Sequence, residues 1–192
     1  QGSEFSKKEW ENLKVVTVPN FQNKLFVGIK YGVDGKHVAM SIATKVDEKI
    51  FVESIDCQSV RNGNTWIISF LKEADIEKVV IDGSGSQQIL SDEIKDYGIK
   101  LKPVLPKVSD VVVANNMFEQ AVTSSKNICH NDQPSLKQIV TNCKRRAIGT
   151  NGGFGFKAMM EEHEIALLDS VILAHWACAT YKGVKKKQKI SC

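Results

Sequence analysis

The sequence lacks several features that define whole classes of protein. No stretch of about 18 apolar residues occurs in it, and no basic segment followed by an apolar one opens it. Its five cysteines are scattered and never spaced C-x-x-C, which argues against disulfides and a zinc site. Neither G-x-S-x-G nor the phosphate-loop glycine pattern is present. We therefore expect an intracellular protein without a membrane span, a serine nucleophile or a bound nucleotide.

What remains is an ordinary globular composition, with 42% hydrophobic and 25% charged residues, which fits a single domain. Residues 1–5 look like a protease-site and cloning remnant and are set aside from fold reasoning. We interpret 6–23 as a linker with a short helix, 24–182 as the folded domain, and 183–192 as a basic tail. The net charge is +4.

Apolar patterning in the first half predicts antiparallel strands followed by parallel ones. The runs LFVGIKYG, HVAMSIATK and KIFVESID are β-rich and separated by turn signals, which predicts three hairpin-linked strands. Residues 64–74 show the spacing of one helical face. The run at 78–82 is short and unbroken, as in a buried parallel strand, and a helix follows over 86–95.

The second half continues this alternation of strands and helices. Residues 102–105 are predicted as a strand, 109–123 as a helix and 127–130 as an extended piece, with a further helix from Pro134 to residue 142. Residues 143–160 suggest a hairpin around an Asn-Gly turn. The last predicted helix spans 163–181. The order predicts an α/β fold with one mixed central sheet flanked by helices, plus an added β-hairpin.

Two aspartates stand where chemistry is expected. Asp82 follows a predicted parallel strand and precedes Gly-Ser-Gly, at the edge where open α/β sheets bind ligands; alternatively it caps the next helix. Asp169 lies among apolar residues of the last helix, where an unpaired charge is costly, so it needs either a salt bridge or a metal shared with Asp82. Two carboxylates favour Mg²⁺ or Mn²⁺ over zinc. Asp34, in an Asp-Gly turn, is either a third ligand or simply turn chemistry.

Basic and histidine residues complete the candidates. The cluster Lys144, Arg145 and Arg146 on the predicted hairpin suits contact with phosphate, whereas the lysine-rich end is the kind of segment that is usually only solvated. The histidines show no metal-ligand spacing; they are His37, His130, His163 and His175.

The segment ICHNDQPSLKQIVTNCKRRAIGTNGGFGFK, followed by ALLDSVILAHWA, closely resembles the C-terminal portion of tailed-phage terminase large subunits, and VVIDGSGSQQIL looks like the preceding strand and helix of that family. The resemblance covers almost all of residues 25–182. It implies a ribonuclease H-like nuclease that is normally joined to an N-terminal packaging ATPase. Such nucleases carry acids on the first strand, after the fourth strand and on the last helix.

Asp82 and Asp169 match the second and third of those positions. At the first, where many members have an acid after Gly-Ile, this sequence has Lys30. Asp34 is the nearest acid downstream and Glu53 a more distant one, while Lys30 itself would neutralise a carboxylate or hold a phosphate. The implied cofactor is one or two Mg²⁺ or Mn²⁺ ions.

The resemblance implies a DNA endonuclease of genome packaging, with low sequence specificity, in the cytoplasm of an infected bacterium. The implied partners are double-stranded DNA, the ATPase domain, the portal and the small terminase subunit. Two alternatives remain open from the residues: another ribonuclease H-like activity such as junction resolution or strand transfer, and a non-catalytic DNA-binding or motor-docking module.

Overall fold

The computed structural model of the chain describes residues 2–20 and 23–183. The predicted basic tail lies almost wholly outside the described residues. Within them the chain forms seven strands, which are β1 (Leu25–Tyr31), β2 (His37–Val46), β3 (Lys49–Ser59), β4 (Ile76–Asp82), β5 (Ile128–His130), β6 (Cys143–Ile148) and β7 (Gly153–Ala158). The α-helices are α1 (Lys7–Glu11), α2 (Thr65–Glu73), α3 (Ser86–Asp96), α4 (Val108–Thr123), α5 (Pro134–Val140) and α6 (Ile165–Thr180), and a short 3-10 helix spans Val60–Asn62.

Five strands form one central sheet in the order β4-β1-β2-β3-β5. The three predicted hairpin strands pair antiparallel, β1 with β2 and β2 with β3. The outer strands are parallel to their neighbours, β4 to β1 and β5 to β3. Strands β6 and β7 form a separate antiparallel hairpin. The predicted α/β fold, a mixed sheet plus an added hairpin, is confirmed.

The sheet has an apolar layer on each face because successive strand residues point to opposite sides. Along β1, Phe26 packs in the layer that contains α4 and α6, while Val27 and Ile29 pack in the layer that contains α2 and α3. The same alternation in β4 sends Val80 to the α6 side and Ile81 to the other. Lys30 and Asp82, the next alternate residues, therefore belong to the α6 face.

Helix α6 lies unusually close to β1. A Cβ atom added at Gly28 would stand 2.1 Å from the backbone oxygen of Ser170 and 2.6 Å from the backbone nitrogen of Ala174, closer than any real carbon contact. Only glycine permits this approach. The hydroxyls of Ser41 and Ser170 lie 2.6 Å apart and form a hydrogen bond between β2 and α6.

The chain ahead of the sheet packs against it. Phe5, in the segment set aside as a remnant, is fully buried, with its ring 5.6 Å from that of Phe118. Trp10 of α1 is also fully buried and stacks on His130 at 4.0 Å. Residues 3–13 thus contribute to the core around α4 and β5.

One predicted strand is reduced to a single bridge. Residues 102–105 make only one parallel bridge, between Val104 and Val80. Pro103 and Pro106 flank it, and proline has no backbone N–H to continue a ladder. No helix among the described residues is long and apolar enough to span a bilayer.

Candidate active site

The candidate site begins with a charged pair at the carboxyl ends of two parallel strands. Lys30 near the end of β1 and Asp82 at the end of β4 are register partners. The Lys30 ammonium lies 2.6 Å from Oδ2 of Asp82, and both side chains are largely shielded from solvent. Asp82 does not cap α3, whose N-cap is Gly85. The acid predicted at this sheet edge is therefore paired with a lysine.

Asp169 reaches the same place from α6, because Gly28 lets that helix cross directly over β1. Burial raises the pKa of Asp169 to about 6, with the positive charges of Lys30 and Arg146 opposing that rise and the charge of Asp82 adding to it. No residue that the structure describes forms a salt bridge within 4.0 Å or a hydrogen bond with the Asp169 carboxylate. Asp169 is a desolvated acid without the ion pair that would stabilise it.

These side chains share one narrow cleft between the sheet, α4, α6 and the hairpin. Arg146 on β6 also faces it, so two acids and two cations meet there. The other residues that line the cleft are Val111, Asn115, Gly155, Ile172 and Leu173. The four formal charges cancel, leaving a site that is neutral as a whole and strongly polar.

The structure separates the three basic residues predicted on the hairpin. Only Arg146 lines the cleft. Arg145 forms ion pairs with Glu4 and Glu119, and its guanidinium lies 3.9 Å from the centre of the Phe154 ring. Lys144 stands opposite Lys157 in the hairpin register.

The two other acids considered from the sequence do not line this cleft. Asp34 lies in the turn between β1 and β2, where its Oδ1 accepts a hydrogen bond from the backbone N–H of Lys36. It lies beside His37 and Glu164 rather than beside Asp82. Glu53 on β3 accepts a hydrogen bond from the Asn131 amide, and burial raises its pKa.

Sequence reasoning missed two residues that shape the cleft. Asn115 is 3% exposed and donates a hydrogen bond from its Nδ2 to the backbone oxygen of Phe154, which fixes the hairpin against α4. Gly155 stands opposite it, where an added Cβ would lie 2.7 Å from Ile148 and 3.2 Å from the Asn115 amide. The available signal was an asparagine between Ala114 and Phe118 on an apolar helical face.

No protein-family model and no curated protein sequence matches the chain. Solved structures do match: the large terminase nuclease of thermophilic phage G20c with bound magnesium superposes with a TM-score of 0.61 at 13% identity, over 91% of this chain and 97% of that one. The fold is that of large terminase nucleases. The nuclease domain of Thermus phage P74-26 agrees, with a TM-score of 0.60 at 12% identity, over 96% of this chain and all of that one.

The terminase nuclease fold also occurs inside a longer polypeptide. The large terminase of bacteriophage HK97 matches with a TM-score of 0.62 at 12% identity. That match covers 90% of this chain but only 43% of the HK97 protein. The chain thus spans less than half of the HK97 terminase. A second G20c nuclease structure contains bound cobalt.

Proposed function

We propose that this chain is the metal-dependent nuclease domain of a viral DNA-packaging terminase large subunit, and that it cuts concatemeric double-stranded DNA with low sequence specificity. The observation that carries the proposal is the meeting of Asp82 and Asp169 in one cleft of a terminase nuclease fold. The two residues are far apart in sequence. Asp82 ends β4 at the carboxyl edge where open α/β sheets bind ligands, and Asp169 reaches the same cleft from α6.

The acids of the cleft fit a hard divalent cation. Oδ1 of Asp82 and both carboxylate oxygens of Asp169 have no hydrogen-bond donor among the described residues, and carboxylate oxygens are the ligands that Mg²⁺ and Mn²⁺ prefer. A buried carboxylate without a partner is costly, and a bound cation would remove that cost. We propose that Asp82 and Asp169 together hold one Mg²⁺ or Mn²⁺ ion.

Lys30 reduces the room for a second ion. Its ammonium lies 2.6 Å from Asp82 Oδ2, so a fixed positive charge already stands beside that oxygen. Asp34, the third ligand predicted from the sequence, would reach the cleft only if its turn moved, because in its present position it lies beside His37 and Glu164. A divalent ion in the cleft would supply Lewis-acid activation of the attacking water and stabilisation of the leaving oxygen.

The protein's own cations would bind and orient the DNA. Arg146 and Lys30 both face the cleft, where they would contact the phosphate to be cut and its neighbour. Arg145 and Lys144 lie on the same hairpin and would contribute backbone contacts outside the cleft. Contacts of this kind are independent of sequence, which fits an enzyme that cuts wherever packaging ends.

The biological setting belongs to the same proposal. Because the HK97 terminase extends well beyond the matched region, we propose that this domain acts with an upstream ATPase domain. Its further partners would be the portal and the small terminase subunit, in the cytoplasm of an infected bacterium. Junction resolution would use the same acids, and cleavage of branched against linear substrates would separate the two activities.

One observation favours a second candidate, a non-catalytic DNA-binding or motor-docking module. The Lys30–Asp82 ion pair neutralises an acid that a metal would otherwise use. In such a module the four charged groups of the cleft would serve structure and phosphate contact only.

Plasmid cleavage tests the proposal. Supercoiled DNA should be nicked and then linearised in Mn²⁺ or Mg²⁺ and left intact in EDTA, because the carboxylates alone cannot activate water at neutral pH. Asp82→Asn should reduce cleavage to background, whereas Asp96→Asn, at an exposed position on α3, should cleave normally. DNA binding without metal-dependent cleavage by the unaltered chain would favour the docking module, and cleavage that survives EDTA would refute the metal mechanism.

A further inference from the structure

A second group of metal-ligating side chains lies outside the cleft, at the turn between β1 and β2. Asp34, His37 and Glu164 each offer one ligand atom, and the three atoms lie within 4.8 Å of one another. Nδ1 of His37 is 3.0 Å from Oε1 of Glu164. Two neighbouring ligand atoms that each bind one metal ion at about 2.1 Å stand about this far apart.

The three residues are held in place by the backbone around them. The turn is closed by hydrogen bonds from the N–H of Gly32 to His37 and from the N–H of Lys36 to Asp34 Oδ1. Glu164 is the N-cap residue of α6, yet its side chain makes no capping hydrogen bond. It is directed to His37 instead, so two separate parts of the chain converge on one point.

The two acids of this group are not paired with lysine or arginine side chains among the described residues, since none of these lies within salt-bridge distance of Asp34 or Glu164. The field of these acids reaches the neighbouring Cys57 thiol, whose pKa is raised to about 11 by burial first and then by Glu164, Asp56 and Asp34. Oδ2 of Asp34 accepts no hydrogen bond from the described residues.

We propose that Asp34, His37 and Glu164 bind a divalent transition-metal ion at a site separate from the Asp82–Asp169 cleft. One imidazole nitrogen with two carboxylate oxygens favours borderline ions such as Zn²⁺ or Co²⁺ over Mg²⁺. Three protein ligands leave coordination positions open for water. The ion would tie the β1–β2 turn to the start of α6, the helix that carries Asp169 five residues later. This inference is independent of nuclease activity.

Co²⁺ is a direct probe because its visible absorption reports coordination. The test protein, called the cleft-deficient background, is the 192-residue chain with Asp82→Asn and Asp169→Asn, which remove the cleft acids. Titration of this protein with Co²⁺ should show one bound ion. Adding His37→Gln should weaken Co²⁺ binding by at least about tenfold, since losing even an outer contact to a metal ligand costs about that much. His163→Gln, one residue from Glu164 but outside the cluster, is the matched control and should leave binding unchanged.

Thermal unfolding supplies a second measurement. At a hundredfold excess over Kd, Co²⁺ should raise the Tm of the cleft-deficient background by about 5–10 °C. Glu164→Gln, which replaces His37→Gln in the test where the latter compromises folding, should abolish that rise. Absence of Co²⁺ binding to the background, or equal binding before and after His37→Gln, would overturn the site. Neither result would alter the test of plasmid cleavage.

Discussion

Replacing Asp169 with asparagine should stabilise the metal-free protein. The side chain keeps its shape but loses a charge that burial makes costly, and no described residue pairs with that charge. The rise in pKa from 3.8 to about 6 corresponds to roughly 3 kcal/mol at about 1.4 kcal/mol per unit. Because Asp169 is largely buried but retains some exposure to solvent, screening should reduce the gain to about 1–3 kcal/mol.

The gain should depend on pH. The pKa is higher in the folded than in the unfolded chain, so the folded state holds the proton more tightly. The penalty is therefore absent below pH 3.8, grows as pH rises and is complete above pH 6. Asp169→Asn and the unaltered chain should be equally stable near pH 4, and the variant should be the more stable one at pH 7.5.

Urea unfolding in EDTA across this pH range measures the difference in the free energy of unfolding. In thermal unfolding at neutral pH the same gain should appear as a Tm increase of about 2–10 °C for a chain of this size. Asp96→Asn, at an exposed position on α3, should change stability by less than about 0.5 kcal/mol at any pH. A variant no more stable than the unaltered chain at pH 7.5, or a gain that does not vary with pH, would show that Asp169 is not a desolvated acid.

Substitutions at Gly28, Arg146 and Lys30 should each have a distinct effect on stability or binding. Gly28→Ala should destabilise the fold by about 1–3 kcal/mol or more in urea unfolding, because the new Cβ would stand 2.1 Å from the Ser170 oxygen; a neutral result would mean that α6 is free to move away. Arg146→Ala should weaken DNA binding and lower the slope of log affinity against log salt by about one, and an unchanged slope would remove Arg146 from phosphate contact. Lys30→Asp should tighten Mn²⁺ binding in calorimetry, because it replaces the cation beside Asp82 with a ligand; weaker binding would show that the lysine supports the metal set.

Local patterning predicted most of the elements because each depends on near neighbours in sequence. The apolar run before Asp82 and the glycines after it predict a strand over 78–82 and a helix over 86–95. The structure has this strand at 76–82 and this helix at 86–96. Residues 102–105 are predicted as a strand, but Pro103 and Pro106 limit them to one bridge. Because residues 1–5 were excluded from fold reasoning, the burial of Phe5 next to Phe118 was not predicted.

The site was harder to predict because it depends on how elements pack. The burial of Asp169 on an apolar helical face was visible in the sequence, and so was the position of Asp82 after a strand. The closeness of His37 to Glu164 was not, since it requires α6 to lie against β1 and depends on the missing side chain of Gly28. Histidine spacing along the chain carries no information about such a contact.

A crystal structure of the full chain soaked in Mn²⁺ would show which carboxylates hold the metal, because the anomalous signal locates the ion independently of activity. We predict a peak between the carboxylates of Asp82 and Asp169, with Lys30 shifted from its 2.6 Å contact with Asp82 Oδ2. A cleft that stays without a peak at saturating Mn²⁺, with the Lys30–Asp82 pair intact, would contradict this prediction.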